Sequence, residues 1–278
     1  MNLSTAVMLG VVQGITEFLP ISSSGHLVIA QRLLGWKEPA VFFDVCLHLG
    51  TFLAVLAVFH KDVRDLVQGG IHLTLRRPFM KSNPRRLNMQ ERIFLLVCVG
   101  TLPTVFVGLF ARHALESAFA SVTAVSINLL ITGTFLWLTR YVKPPVLKPP
   151  GLTRGKQALW IGVCQSMALA PGISRSGATI SAGLFLGLER DWAGRYSFLL
   201  FVPAVIGALI LEGAHIKLEN VDVLQTVVGI LTAGVSGYMA LRILLKIVRK
   251  GNFFVFAPYC WLVGALGLVW ALWMPGMN

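Results

Sequence analysis

The sequence predicts an all-α polytopic membrane protein, a single domain over 1–278 with six transmembrane helices and two re-entrant helical hairpins, arranged as an inverted repeat. Three observations predict it. Of 278 residues, 55% are hydrophobic and only 13% charged, where a soluble domain carries about 25% charged residues; the mean hydropathy is +0.73. Apolar runs at 93–109, 122–138, 223–245 and 253–274 approach or exceed the roughly 20 residues that cross a bilayer. Two short polar runs, EFLPISSSGHL at 17–27 and APGISRSGATI at 170–180, interrupt apolar sequence and align without gaps at an offset of 152 residues.

That alignment defines the repeat. Gly10 falls on Gly162, Gln13 on Gln165, Ile21 on Ile173, Ser22 on Ser174, Ser24 on Ser176 and Gly25 on Gly177. Internal repeats set the architecture when present. The first unit, 1–141, continues with apolar segments near 41–60, 91–112 and 119–141. The second, 152–278, continues with segments near 195–212, 222–248 and 253–275.

In the second unit, 157–170 and 177–188 are each too short to span about 30 Å at 1.5 Å per residue. Pro171, Gly172 and Gly177 separate them, and such residues interrupt helices. The segment therefore reads as a hairpin that enters and leaves on one face. The first hairpin reads the same way, although 3–19 alone nearly crosses. Each unit then crosses three times, so the second is inverted relative to the first.

Charge placement tests that topology independently. The connections 61–92, 140–156, 189–195 and 242–252 carry 8, 5, 2 and 4 Lys or Arg, 19 of the chain's 24. The opposite side keeps Arg32, Lys37, Arg112 and Lys217, with Arg175 in a break. Excess Lys and Arg marks the cytoplasmic side, which puts the N-terminus and first hairpin outside and the second hairpin inside. The net charge of +12 thus reports membrane topology, and no nucleic-acid partner is expected. No charged region precedes the first apolar run, so no cleavable signal is expected. Cys46, Cys98, Cys164 and Cys260 lie singly in apolar segments and read as packing residues.

The breaks carry the chemistry. Non-helical backbone at membrane depth is tolerated where protein buries it or water reaches it. Broken helices of inverted repeats aim half-helix N-termini at anionic groups. Ser22, Ser23 and Ser24 precede a helix expected near Gly25, and Ser174 and Ser176 precede one expected near Gly177. The unpaired N–H groups and the dipole make each end an anion site. The serines are either simple N-caps or further phosphate donors. Arg175 is either a phosphate-binding fork or a structural ion pair with Glu17, and these can coexist. Thr179, one turn on, offers another donor.

Glu17 beside a phosphate requires a proton or a cation. A hard divalent ion, Mg²⁺ or Ca²⁺, on oxygen ligands would satisfy it. Gln13, four residues away on the same helix face, is either a further ligand or interhelical glue. His26, one turn past the serines, is either structural or a base. Asp44 and His48 share a face at i, i+4 and are either interfacial or functional. His60, His72, His113 and His215 read as surface residues.

At this point the chain resembles the bacterial undecaprenyl-diphosphate phosphatases of the bacitracin-resistance type. Gln13-x-x-x-Glu17 is similar to their (E/Q)xxxE motif, and Pro171 to Thr179 to their PGxSRSxxT motif; the intervening run with His26 matches too. The resemblance covers essentially the whole chain. It implies an inverted-repeat, metal-dependent hydrolase of the bacterial inner membrane, with a site facing the periplasm. It would remove the terminal phosphate of undecaprenyl diphosphate, recycling the cell-wall lipid carrier. Where many members carry Glu at the first motif position, this chain has Gln13.

On that reading, Arg175, Ser174, Ser176, Thr179, Ser22 and Ser24 hold the phosphates, and a cation rests on Glu17, with Gln13 as a further ligand. Ser23, which the repeat places opposite Arg175, attacks phosphorus with His26 as base, or an activated water does. The partners are the polyprenyl diphosphate lipid and the membrane lipids, and a homo-oligomer is compatible with the sequence. Two other classes fit inverted repeats with broken helices: a transporter or flippase of an anionic lipid, and a protein that only sequesters one.

Overall fold

A computed structural model describes residues 2–35, 41–76, 87–111, 115, 118–119, 121–142, 153–213 and 222–273. Lys37, Arg112, His113, His215 and Lys217 lie outside them. The described residues form eleven α-helices and no strand. In the first unit these are α1 (Leu3–Phe18), α2 (Ser23–Leu33), α3 (Val41–Val58), α4 (His60–Ile71), α5 (Met89–Phe110) and α6 (Val122–Leu138). The second contains α7 (Gly155–Met167), α8 (Arg175–Phe185), α9 (Arg190–Gly213), α10 (Val223–Arg249) and α11 (Ala257–Trp273).

Local chemistry sets the ends. Asn2, Ser121 and Asp222 cap α1, α6 and α10 through their side chains, and Asn88 and Glu91 form a capping box on α5. Helix α1 stops at Leu19, which precedes Pro20 and is extended at φ −60°, ψ 139°, the conformation a following proline favours.

Among the described residues, five helices are long and apolar enough to cross a membrane: α5, α6, α9, α10 and α11, the second and last with their flanking 3₁₀ turns. The sixth predicted span, near 41–60, corresponds to α3 (Val41–Val58), which is long and apolar enough to cross only when taken together with α4. Helix α3 bends by 89° into α4 just after Val58, so the connection 61–92 opens with a helix, His60–Ile71. Hydrophobic side chains face outward: Phe110, Leu272 and Trp273 are 76%, 79% and 85% exposed. Apolar surface of this kind is matched by lipid rather than water. The molecule is a multi-pass membrane protein.

The two units pack reciprocally. Helix α1 lies along α10 while its counterpart α7 lies along α5, and α6 lies along α11. Exchanging the units maps the first of these pairings onto the second and the third onto itself. The repeat-related glycines explain the closeness. A Cβ on Gly10 would come 2.8 Å from the Gly229 carbonyl oxygen, and one on Gly162 would collide with the Gly100 carbonyl oxygen. At Gly14 a Cβ would lie 2.5 Å from the Ala233 carbonyl oxygen and 2.7 Å from the Gly237 nitrogen. Gly14→Val is therefore expected to force α1 off α10, at a cost of about 1–3 kcal/mol for overpacking. A thermal melt of the purified protein should show the transition shifted downward.

The four Lys- and Arg-rich connections meet at one end. Arg195 pairs with Asp62 and lies 3.7 Å from Asp191, which accepts from Arg249 at 2.6 Å. Arg92 donates to the Thr153 carbonyl at 2.7 Å, and the Trp192 indole donates to the Thr153 hydroxyl at 2.9 Å. Exposed ion pairs contribute little stability; here they mark which segments are neighbours.

Candidate functional site

The hairpins α1–α2 and α7–α8 bring their breaks into contact. Helices α2 and α8 begin at Ser23 and Arg175, two residues earlier than the sequence suggested. The reason is capping: Ser22 Oγ accepts from Gly25 N at 3.4 Å, and Ser174 Oγ accepts from Gly177 N at 3.1 Å. The breaks also hold each other, since Gly172 N donates to Ser22 Oγ at 3.1 Å and Ser176 Oγ donates to the Phe18 carbonyl at 3.0 Å. Gly172 has φ +94°, and a Cβ there would collide with the Val125 carbonyl, so this turn requires glycine.

Glu17 is the centre. It is buried at the end of α1 and takes four polar neighbours. Arg175 Nη2 donates to Oε1 at 3.0 Å. Ser23 Oγ donates to Oε2 at 2.6 Å, and Gln13 Nε2 donates to the same oxygen at 3.0 Å. His48 Nε2 lies 3.6 Å from it. Glu17 and Arg175 come from the two repeat units, 158 residues apart in sequence. A buried ion pair repays its desolvation only when further hydrogen bonds satisfy both groups, and here one group is left short. Arg175 Nη1 is a buried donor with no partner, although the guanidinium carbon sits 4.0 Å from the Phe201 ring centroid. A buried, unpaired cationic donor beside two helix N-termini is what an oxyanion would fill.

The other predicted residues separate into two groups. The hydroxyls of Ser22, Ser174, Ser176 and Thr179 are engaged in the fold. Ser174 and Ser176 are 3.2 Å apart, and Thr179 Oγ1 donates to the Arg175 carbonyl at 2.8 Å with Ser197 Oγ at 2.6 Å. Thr179 thus ties α8 to α9. Ser24 lies 3.3 Å from Ser22 Oγ. The predicted contact between Ser23 and His26 is not found, and Ser23 Oγ donates to Glu17 Oε2 instead. His26 Nδ1 meets the Ser22 carbonyl at 2.8 Å and Nε2 meets the Tyr259 hydroxyl at 2.8 Å, with the two rings stacked. A carbonyl only accepts, so Nδ1 carries the proton, and Nε2 of a neutral ring accepts from Tyr259. His26 therefore braces Ser22, which holds a φ of +70°, a value no other non-glycine residue among those described adopts above zero.

Three supports were not read from the sequence. Asn128 and Thr132 of α6 clamp the second break, donating to the carbonyls of Pro171 and Gly172 at 2.8 and 2.9 Å. Their i, i+4 spacing in an apolar span was the available signal. Tyr259 offered none. His48, left open above, reaches Glu17, whereas Asp44 accepts from Gln31 at 2.8 Å.

The donor set also bears on a divalent cation. Gln13 Oε1 is a buried acceptor with no partner, on the side chain that already touches Glu17. One carboxylate and neutral oxygens, completed by substrate phosphates, is how Mg²⁺ is commonly held. The residues fit such an ion.

Fold and site together define a polytopic α-helical membrane protein with a buried Glu17–Arg175 pair where its two hairpins meet. The chain belongs to the family described as "Bacitracin resistance protein BacA", whose profile matches residues 6–266. It is 46% identical over 276 residues to a protein of Desulforapulum autotrophicum named "Undecaprenyl-diphosphatase", covering 97% of this chain and 98% of the relative. A protein of the same name from Desulfosudis oleivorans is 47% identical over 269 residues, covering 94% and 96%. One from Methanosphaera stadtmanae is 38% identical over 273 residues, covering 97% and 98%.

Proposed function

We propose that the protein hydrolyses undecaprenyl diphosphate to undecaprenyl phosphate and inorganic phosphate at the Glu17–Arg175 site. The observation that carries this reading is the buried pair with Ser23 Oγ on one end and the unpartnered Arg175 Nη1 on the other. Family membership supplies the substrate. The isoprenoid tail lies among the helices in lipid, and the diphosphate enters between the two breaks.

Phosphoryl transfer depends mainly on positioning and on neutralising charge. Arg175 Nη1 takes a phosphate oxygen, and the N-termini of α2 and α8 add backbone donors. Ser23 Oγ attacks the terminal phosphorus as its proton passes to Glu17 Oε2. The bond to the bridging oxygen breaks, and undecaprenyl phosphate leaves with that electron pair. Water then hydrolyses the phosphoserine. A divalent cation, Mg²⁺ or Ca²⁺, on Glu17 and the Gln13 carbonyl would neutralise phosphate charge when bound. His26 keeps the strained Ser22 in place, which aims Ser23 at Glu17.

The site lies in the inner membrane and opens to the periplasm. Support comes from the excess of Lys and Arg in the four connections gathered at one end. The direct test is phosphate release by purified protein in detergent, given undecaprenyl diphosphate with Mg²⁺ or Ca²⁺. Release is expected, whereas transport or sequestration alone would yield no inorganic phosphate.

A further inference from the structure

His48 offers a ligand that the phosphatase reading does not use. Its Nδ1 lies 2.8 Å from the Asp44 carbonyl oxygen. Because that oxygen only accepts, Nδ1 carries the hydrogen, and Nε2 of the neutral ring presents a lone pair. That lone pair points to the Glu17 side: Nε2 and Oε2 are 3.6 Å apart. Oε2 accepts from Ser23 and Gln13, but neither supplies a donor to His48 Nε2, and a cation between the two would take a lone pair from each. Nearby, Gln13 Oε1 is buried without a partner.

We propose that His48 Nε2, Glu17 Oε2 and the Gln13 carbonyl oxygen form a mixed nitrogen–oxygen site for a divalent first-row transition ion. Three features agree. A metal-bound histidine almost always donates its other ring N–H to a carbonyl or carboxylate, as His48 does. The His48 side chain is 33% exposed, so an ion reaches it without unfolding. Imidazole suits first-row transition ions, whereas Mg²⁺ and Ca²⁺ seek oxygen. The site therefore prefers Mn²⁺ over Ca²⁺ before any substrate arrives. The inference rests on the proposed cation at Glu17 and names its third ligand and its metal class.

The test uses Mn²⁺ alone on the purified protein in detergent, without lipid substrate. Pulsed electron paramagnetic resonance should show ¹⁴N coupling from one imidazole. His48→Gln should lose the coupling and bind Mn²⁺ at least about tenfold more weakly, the low end of what loss of an outer-shell partner costs. His26→Gln, whose ring is engaged by Ser22 and Tyr259, should keep it. Absence of Mn²⁺ binding, binding without ¹⁴N coupling in the unmodified protein, or coupling that survives His48→Gln would each overturn the assignment. Phosphate release measured on the same preparation with Mg²⁺ separates the two readings. Release without ¹⁴N coupling removes His48 and keeps the phosphatase, and coupling without release under any cation does the reverse.

Discussion

Arg175→Lys should leave a folded protein that releases phosphate at about a hundredth to a thousandth of the normal rate. The physical reason is division of labour within one planar group. Nη2 holds Glu17 at 3.0 Å while Nη1 is left free, and the plane lies against Phe201 at 4.0 Å. Lysine keeps the charge but is a compact point donor on a flexible stem. It can answer Glu17 or the phosphate, not both in fixed geometry, and it gives up part of the ring contact. Loss of one preorganised donor to a developing anion typically costs about 10²–10³ in rate. Arg175→Ala is a harsher change, since an unpaired buried Glu17 would cost about 3–5 kcal/mol. The lysine variant therefore separates chemistry from folding. Phosphate release against a melting curve reads both.

Glu17→Gln is expected to be equally severe for a different reason. The amide has the same shape but no charge, so it does not accept the Ser23 proton, and its neutral carbonyl holds a cation more weakly than the carboxylate does. General-base assistance alone contributes about 10²–10⁴. Arg175 would also lose its counter-charge in a buried setting, so the melting temperature should fall, unlike in Arg175→Lys. Glu17→Gln with near-normal turnover would remove the carboxylate from the mechanism.

Much of this was legible because symmetry made it so. The 152-residue offset places Ser23 opposite Arg175, and the structure sets both on Glu17. Gly10 and Gly162, matched by the same offset, make the same kind of close helix crossing. Burial of a carboxylate and a guanidinium in apolar sequence left few arrangements other than pairing. What escaped depended on long-range placement. Helix α4 was not read, since the apolar run ends in HKDVRD and the polar stretch looked like a simple connection. Thr179 looked like a phosphate donor until Ser197 of α9 took it up. His26 looked like a base because Ser23 is near in sequence, yet its acceptor nitrogen belongs to Tyr259, 233 residues away.

The central claim is that both units contribute to one phosphate site. A structure determined with a bound, non-hydrolysable methylene diphosphonate of a polyprenol addresses it most directly. Phosphonate oxygens are expected at Arg175 Nη1 and at the N-terminus of α2, with Ser23 Oγ in line with the terminal phosphorus. Phosphonate bound by residues of one unit alone, or seated away from Glu17, would contradict it.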